Sequence, residues 1–277
     1  MLVSMKAVLE YAEANNQAIG AFNVCNLEGV QAVIGAAEEL HQPVIVQFAG
    51  VHGAYISMDV IGPIMVMMAE KAAVPVCVHL DHGDDLNNIK KALEMGFTSV
   101  MYDGSLLPFA QNVANTKMVV EMAEAYGASV EAEIGAMGGG EGSTGGTARY
   151  TDPDEAKKFV DLTGVDALAC SFGTVHGLYA SETKLDFERI TEIRSKTGIP
   201  VVMHGGSGVS EADFKECINR GVRKINYYTY ASKAAGAAVK ELCAKTEGVM
   251  FYHDVAVCGR EALKKDVMGA MKTFSNK

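Results

Sequence analysis

Eight times along the chain, a short run of β-branched and other apolar residues is followed by a longer segment with apolar residues at helical spacing. The runs are Ile19 to Val24, Val44 to Phe48, Val74 to Leu80, Ser99 to Tyr102, Ser129 to Ile134, Ala167 to Phe172, Pro200 to His204 and Val222 to Tyr227. Near-continuous apolar runs of strand length describe parallel strands buried on both faces, and each parallel connection needs a crossover helix. Eight strand-then-helix units in 277 residues predict an α/β fold closed as a (β/α)8 TIM barrel, one domain spanning residues 1–277. Met5, Val8, Leu9 and Ala12, placed behind Ser4 as an N-cap, predict a leading helix before the first strand. The punctuation agrees. Pro43, Pro75 and Pro200 open strands, where a missing N–H costs least, and glycines such as Gly164 and Gly198 fall where helices end.

A barrel of this kind places its chemistry at the C-terminal ends of its strands. The third run stops in His79-Leu80-Asp81-His82-Gly83, which crowds two histidines and a carboxylate at such an end. Alone, that stretch reads equally as structural histidines followed by helix-capping acids. The other strand ends carry Asn23, Asp103 and Ser105, Glu131 and Glu133, Ser171 and His176, His204, and Asn226 and Thr229. Histidines from three strand ends, His82, His176 and His204, can meet at one point and bind Zn2+ with a position left for substrate. Asp81 stands beside the first of them as the natural proton carrier. The turn His204-Gly-Gly-Ser-Gly208 and the following Asn226-Tyr-Tyr-Thr229 occupy the positions where barrels bind phosphate through backbone amides, a hydroxyl and a helix N-terminus. Between the fifth and sixth strands, residues 138–146 hold six glycines around Glu141 and read as an active-site loop, the alternative being a surface excursion without function.

The formal net charge of -10, without a Lys/Arg run, argues against a nucleic-acid partner. No stretch is long and apolar enough to span a membrane. The six cysteines form no Cys-x-x-Cys pair and read as buried free thiols of a reducing, cytoplasmic setting.

Five ordered motifs, His79-Leu-Asp-His-Gly83, Glu131-Ala-Glu-Ile-Gly135 with its glycine-rich loop, Gly173-Thr-Val-His-Gly-Leu-Tyr179, His204-Gly-Gly-Ser-Gly208 and Val222-Arg-Lys-Ile-Asn226, resemble those of the class II, zinc-dependent ketose-bisphosphate aldolases. The resemblance runs essentially the whole chain. It implies reversible cleavage of a ketose 1,6-bisphosphate, foremost fructose 1,6-bisphosphate, to dihydroxyacetone phosphate and glyceraldehyde 3-phosphate through a Zn2+-stabilised enediolate. It implies zinc ligands His82, His176 and His204, with Asp81 handling the C4 hydroxyl proton and Glu141 exchanging protons with the three-carbon half. Glu133 and Asp103 match carboxylates near the metal. Asn23 falls at a substrate-binding strand end, and Gly177, Gly205, Ser207, Asn226 and Thr229 match the site for dihydroxyacetone phosphate, beside which the family holds a monovalent cation, Na+ or K+. Arg260 matches an arginine that enters the neighbouring subunit's site, which implies a homodimer or homotetramer.

Two positions depart from the family pattern and bear on the aldehyde half. Tyr228 stands where fructose-bisphosphate aldolases carry Asp and tagatose-type members a small residue, and Ala49 stands where a Ser or Thr assists the distal phosphate. The alternatives are therefore a tagatose-bisphosphate or other ketose-phosphate aldolase, a metal-dependent sugar-phosphate epimerase, a non-catalytic sugar-phosphate sensor, and Schiff-base chemistry through Lys224. Lys224 shares a strand face with Asn226 but is expected to lie deeper.

Overall fold

The computed structural model describes residues 1–135, 149–177 and 184–276. Eight parallel strands close into a barrel in sequence order. They are β1 (Ile19–Asn23), β2 (Val44–Ala49), β3 (Val76–Gly83), β4 (Ser99–Tyr102), β5 (Ser129–Ile134), β6 (Ala167–Cys170), β7 (Val201–Met203) and β8 (Val222–Tyr227). The helices are α1 (Met5–Ala14), α2 (Leu27–Leu40), α3 (Met58–Lys71), α4 (Leu86–Glu94), α5 (Phe109–Glu124), α6 (Pro153–Thr163), α7 (Phe187–Thr197), α8 (Glu211–Asn219), α9 (Thr229–Lys245) and α10 (Tyr252–Phe274), with a 3-10 turn at Gly50–Ala54 after β2. The barrel expectation holds, as does the leading helix, whose N-cap Ser4 accepts from the amide of Ala7. Among the described residues, no helix is long and apolar enough to cross a membrane.

Two apolar cores follow from the strand period of two. Outward-facing residues such as Phe22, Val46, Val78, Val100 and Leu168 pack against the helix ring. Inward-facing Ile19, Ala21, Ile45, Cys77, Ala167 and Val202 join Met5, Val8, Leu9 and Ala12 of α1, so the leading helix seals the barrel floor. Higher in the barrel the inward positions turn polar: Asn23, Gln47, His79, Asp81, Glu131, Glu133, Lys224 and Asn226. The apolar half of the barrel anchors the fold and the polar half carries the chemistry.

Phe159 of α6 is fully buried in the outer core. Phe159→Ala is expected to cost about 3–5 kcal/mol through lost transfer energy and a cavity, seen as a lower urea midpoint with an unchanged slope.

The thiols differ from expectation. All six are free, but only Cys77, Cys170 and Cys217 are buried; Cys25 and Cys258 are half-buried and Cys243 is exposed. Cys243 lies on the outer helix α9, whose sequence spacing did not reveal how little of it the barrel covers.

Candidate active site

Two backbone features decide which side chains reach the barrel mouth. Adjacent strand residues normally point to opposite faces, yet Asp81 and His82 both line one cavity. His82 takes a left-handed conformation, φ 49°, where the pairing of β3 with β4 shifts register between Leu80 and Gly83. Gly83 permits the shift, because a Cβ there would lie 2.5 Å from the carbonyl oxygen of Met101. Across the mouth Gly205, at φ +67°, lets the chain after β7 pass so close to the segment carrying His176 that a Cβ would sit 2.3 Å from the Val175 carbonyl oxygen. The glycines beside the predicted ligands thus serve approach as well as turning.

His82, His176 and His204 each present a ring nitrogen within a cluster spanning at most 4.8 Å. Their ring centroids lie 4.6 Å (His82–His204), 5.1 Å (His82–His176) and 5.8 Å (His176–His204) apart. Carboxylates orient two of the rings. Asp103 Oδ2 accepts from His82 Nδ1 at 2.9 Å, and Glu131 Oε1 from His204 Nε2 at 2.8 Å. The opposite nitrogens, His82 Nε2 and His204 Nδ1, then face each other at 3.0 Å. Two basic nitrogens set so close call for a cation between them. Burial disfavours an imidazolium at His82, but the Asp81 charge and the hydrogen bond that His82 donates to Asp103 outweigh it and push its pKa up to about 10. Burial dominates at His176, whose pKa is pulled down to about 3, and it also lowers that of His204. His176 Nδ1 is buried without a hydrogen-bond partner. A cluster of three imidazoles, with carboxylates behind two of the rings and one nitrogen orphaned, fits a divalent ion of the zinc type.

Asp81 sits beside this cluster, nearly buried, and its carboxylate is held by three amides. Asn23 Nδ2 donates to Oδ2 at 2.8 Å, Gln47 Nε2 to Oδ2 at 3.2 Å, and Asn226 Nδ2 to Oδ1 at 3.0 Å. Burial alone would raise its pKa; the imidazoles of His82 and His204 and the Lys224 ammonium hold it well below the usual carboxylate range. It is an ionised base with a fixed orientation. Glu133, at the third corner of a second cluster with His82 and Asp103, behaves oppositely. Burial and the neighbouring Asp103 raise its pKa well above the ordinary value.

The cavity at the barrel mouth is lined by Asn23, Asp81, His82, His176, Gly177, Gly205, Ser207, Asn226 and Thr229, nine of the residues singled out from sequence. Ser207 Oγ lies 3.3 Å from the Tyr228 amide and 3.4 Å from that of Tyr230, so the β7 turn meets the N-terminus of α9. Arg260 lies elsewhere in its own chain, on α10, bound to Gln31 and Glu261. Glu141 and the loop 138–146 lie outside the described residues. His79 is not in the histidine cluster; it bonds Ser99 Oγ at 2.7 Å inside the barrel. Lys224 is deep, as its strand position suggested.

Sequence reasoning missed Gln47 and His52. Gln47 is one polar residue in an apolar strand, a signal available from period-two counting alone. His52 packs against Tyr228 with ring centroids 4.7 Å apart, and both line the cavity. That pairing joins segments after β2 and β8 and has no local signature.

Comparison with known proteins places these features. Residues 3–277 match the family model for fructose-bisphosphate aldolase class-II. A fructose-bisphosphate aldolase of Geobacillus stearothermophilus is 42% identical over 279 residues, covering 99% of this chain and 97% of the relative. A 6-phospho-5-dehydro-2-deoxy-D-gluconate aldolase of Halalkalibacterium halodurans is 40% identical over 280 residues, covering 99% and 96%. Among solved structures, the YdjI aldolase of Escherichia coli K12 superposes with a TM-score of 0.89 at 37% identity, covering 99% of this chain and 97% of that one.

Proposed function

The chain belongs to the class II fructose-bisphosphate aldolase family and is an aldolase, a carbon–carbon lyase that acts on sugar phosphates, and on that premise we propose that it cleaves a C1-phosphorylated ketose to dihydroxyacetone phosphate and an aldehyde. Family membership sets aside the epimerase, the sensor and the Schiff-base alternatives. Fructose 1,6-bisphosphate is the foremost substrate of this reading. The observation that carries it is the Asp81 carboxylate, held by three amides beside three convergent histidines at the barrel mouth.

In this reading His82, His176 and His204 hold the divalent ion the family uses, zinc, and Asp103 and Glu133 stand behind it. When bound, the ion supplies Lewis-acid stabilisation of the charge that gathers on the ketose carbonyl as the C3–C4 bond breaks. Asp81 takes the C4 hydroxyl proton; the O–H pair becomes the aldehyde C=O, and the C3–C4 pair moves toward C2. Protonation at C3 then completes dihydroxyacetone phosphate, a step assigned to Glu141 from sequence. Gly177, Gly205, Ser207 and Thr229 would receive the C1 phosphate at the N-terminus of α9, where backbone amides and the helix dipole favour an anion. Asn23 and Asn226 bind substrate hydroxyls while steering Asp81. A monovalent cation beside the phosphate, a homodimer or homotetramer in which Arg260 of a second copy binds the distal phosphate, and a cytoplasmic setting complete the proposal.

A panel of fructose and tagatose 1,6-bisphosphates, fructose 1-phosphate and 6-phospho-5-dehydro-2-deoxygluconate, with a coupled triose-phosphate readout, tests it. Dihydroxyacetone phosphate should form from at least one member in the presence of zinc. An isomeric product without triose phosphate from every member would overturn the reading.

A second reading of the aldehyde half is favoured by Tyr228 and His52, an aromatic pair on the β2 and β8 side of the cavity. Here the far end of the substrate is something other than glyceraldehyde 3-phosphate. Tyr228→Ala, which opens that wall, is expected to shift kcat/KM by about tenfold toward the bulkier bisphosphate relative to fructose 1-phosphate. An unchanged ratio would remove Tyr228 from the aldehyde end.

A further inference from the structure

We infer that Lys224 is a positioning residue that ties the histidine cluster to the proton-handling carboxylate through two separate arms; this rests on the roles given above to the cluster and to Asp81. Lys224 and Asn226 are two apart on β8, so both point into the barrel, and Lys224 is fully buried. Its Nζ lies 2.8 Å from Glu131 Oε2 and donates to Asn226 Oδ1 at 2.8 Å.

One arm runs from Glu131 to the metal side. With Oε2 engaged by the ammonium, Oε1 meets His204 Nε2 at 2.8 Å. A carboxylate accepts only, so the His204 proton is drawn to Nε2 and the Nδ1 lone pair is turned toward His82 and the centre of the cluster. The other arm runs from Asn226 to the proton side. An ammonium only donates, so it selects the amide oxygen of Asn226 and leaves Nδ2 to donate to Asp81 Oδ1 at 3.0 Å. One cation therefore sets both the tautomer of a ligand and the sense of the amide that orients the base. Its two partners come from β5 and from β8 itself, so the link crosses the barrel interior.

Each arm has its own readout in the zinc-loaded full-length protein. Glu131→Gln should weaken zinc binding, measured by competition with a chromophoric chelator, while Asn226→Ala should lower kcat at saturating zinc and leave zinc affinity in place. Lys224→Met should do both: zinc affinity falls about ten- to hundred-fold, as for loss of a residue that supports a ligand, and kcat at saturating zinc falls about a hundredfold through misplacement of Asp81. Removing one member of a buried ion pair strands the other charge, so the double variant Lys224→Met/Glu131→Gln, which removes both, carries the same test should the single variant not fold. It should melt closer to wild type than Lys224→Met does, yet keep the loss in kcat. A folded Lys224→Met or double variant with zinc affinity and kcat within about twofold of wild type, well inside the losses expected of supporting residues, would overturn the inference. Loss in one readout alone would overturn the two-arm coupling. Wild-type protein that neither binds zinc nor releases triose phosphate would instead fail the underlying functional reading.

Discussion

Asp81→Asn is expected to lower kcat for ketose cleavage by about 10^2- to 10^4-fold, the range for losing a positioned general base, with zinc content and fold retained. Asparagine keeps one acceptor for the amides of Asn23, Gln47 and Asn226, which all bind the native carboxylate. Asp81→Ala leaves these donors without their acceptor and should additionally destabilise the protein by about 1–3 kcal/mol, the cost of unsatisfied buried polar groups. Comparison of kcat, zinc content and melting temperature for the two variants separates chemistry from packing. Asparagine-variant activity close to wild type would mean that another group takes the C4 proton.

Removal of the divalent ion is expected to abolish triose-phosphate release, and zinc added back should restore it. Activity that persists after metal analysis shows none bound would falsify the metal assignment. The stripped protein should also melt lower, since an ion present at a hundred times its Kd stabilises the folded state by about 2.7 kcal/mol. The pH dependence has a definite sign. In the metal-free protein the His82 pKa is pushed up to about 10 by Asp81 and Asp103 despite burial, whereas burial keeps His176 neutral, its pKa lowered to about 3. An imidazole must lose its proton to bind a metal. Zinc binding near neutral pH should therefore release about one proton, from His82, and affinity should rise with pH until it levels off above the His82 pKa. Calorimetry in buffers of different ionisation enthalpy measures that release.

How far the residues alone led can be judged from particular positions. The strands were legible because a buried parallel strand declares itself over a few neighbouring residues; β4, β5 and β8 match their expected bounds. The run expected as Val74 to Leu80 is instead Val76–Gly83, because the polar Asp81-His82-Gly83 end continues the ladder through an irregular register that apolarity cannot signal. The histidines and Asp81 were legible as chemistry at strand ends, and the five motifs named the family. Gln47, a polar residue inside an apolar run, was readable in principle by counting inward positions. The His52–Tyr228 pair was not, since its members lie on segments that meet only when the barrel closes.

From order along the chain came the alternation of strand and helix, hence the barrel, and the chemical types gathered at its rim, because side-chain period and strand ends are local properties. Tertiary structure decided which of those groups touch. The left-handed turn at His82 brings two adjacent residues into one cavity, and strand register across the closed barrel sets Lys224 against Glu131 and Asn226 against Asp81. Contacts between residues 93 and 145 positions apart depend on barrel closure and shear, which no local stretch of sequence specifies.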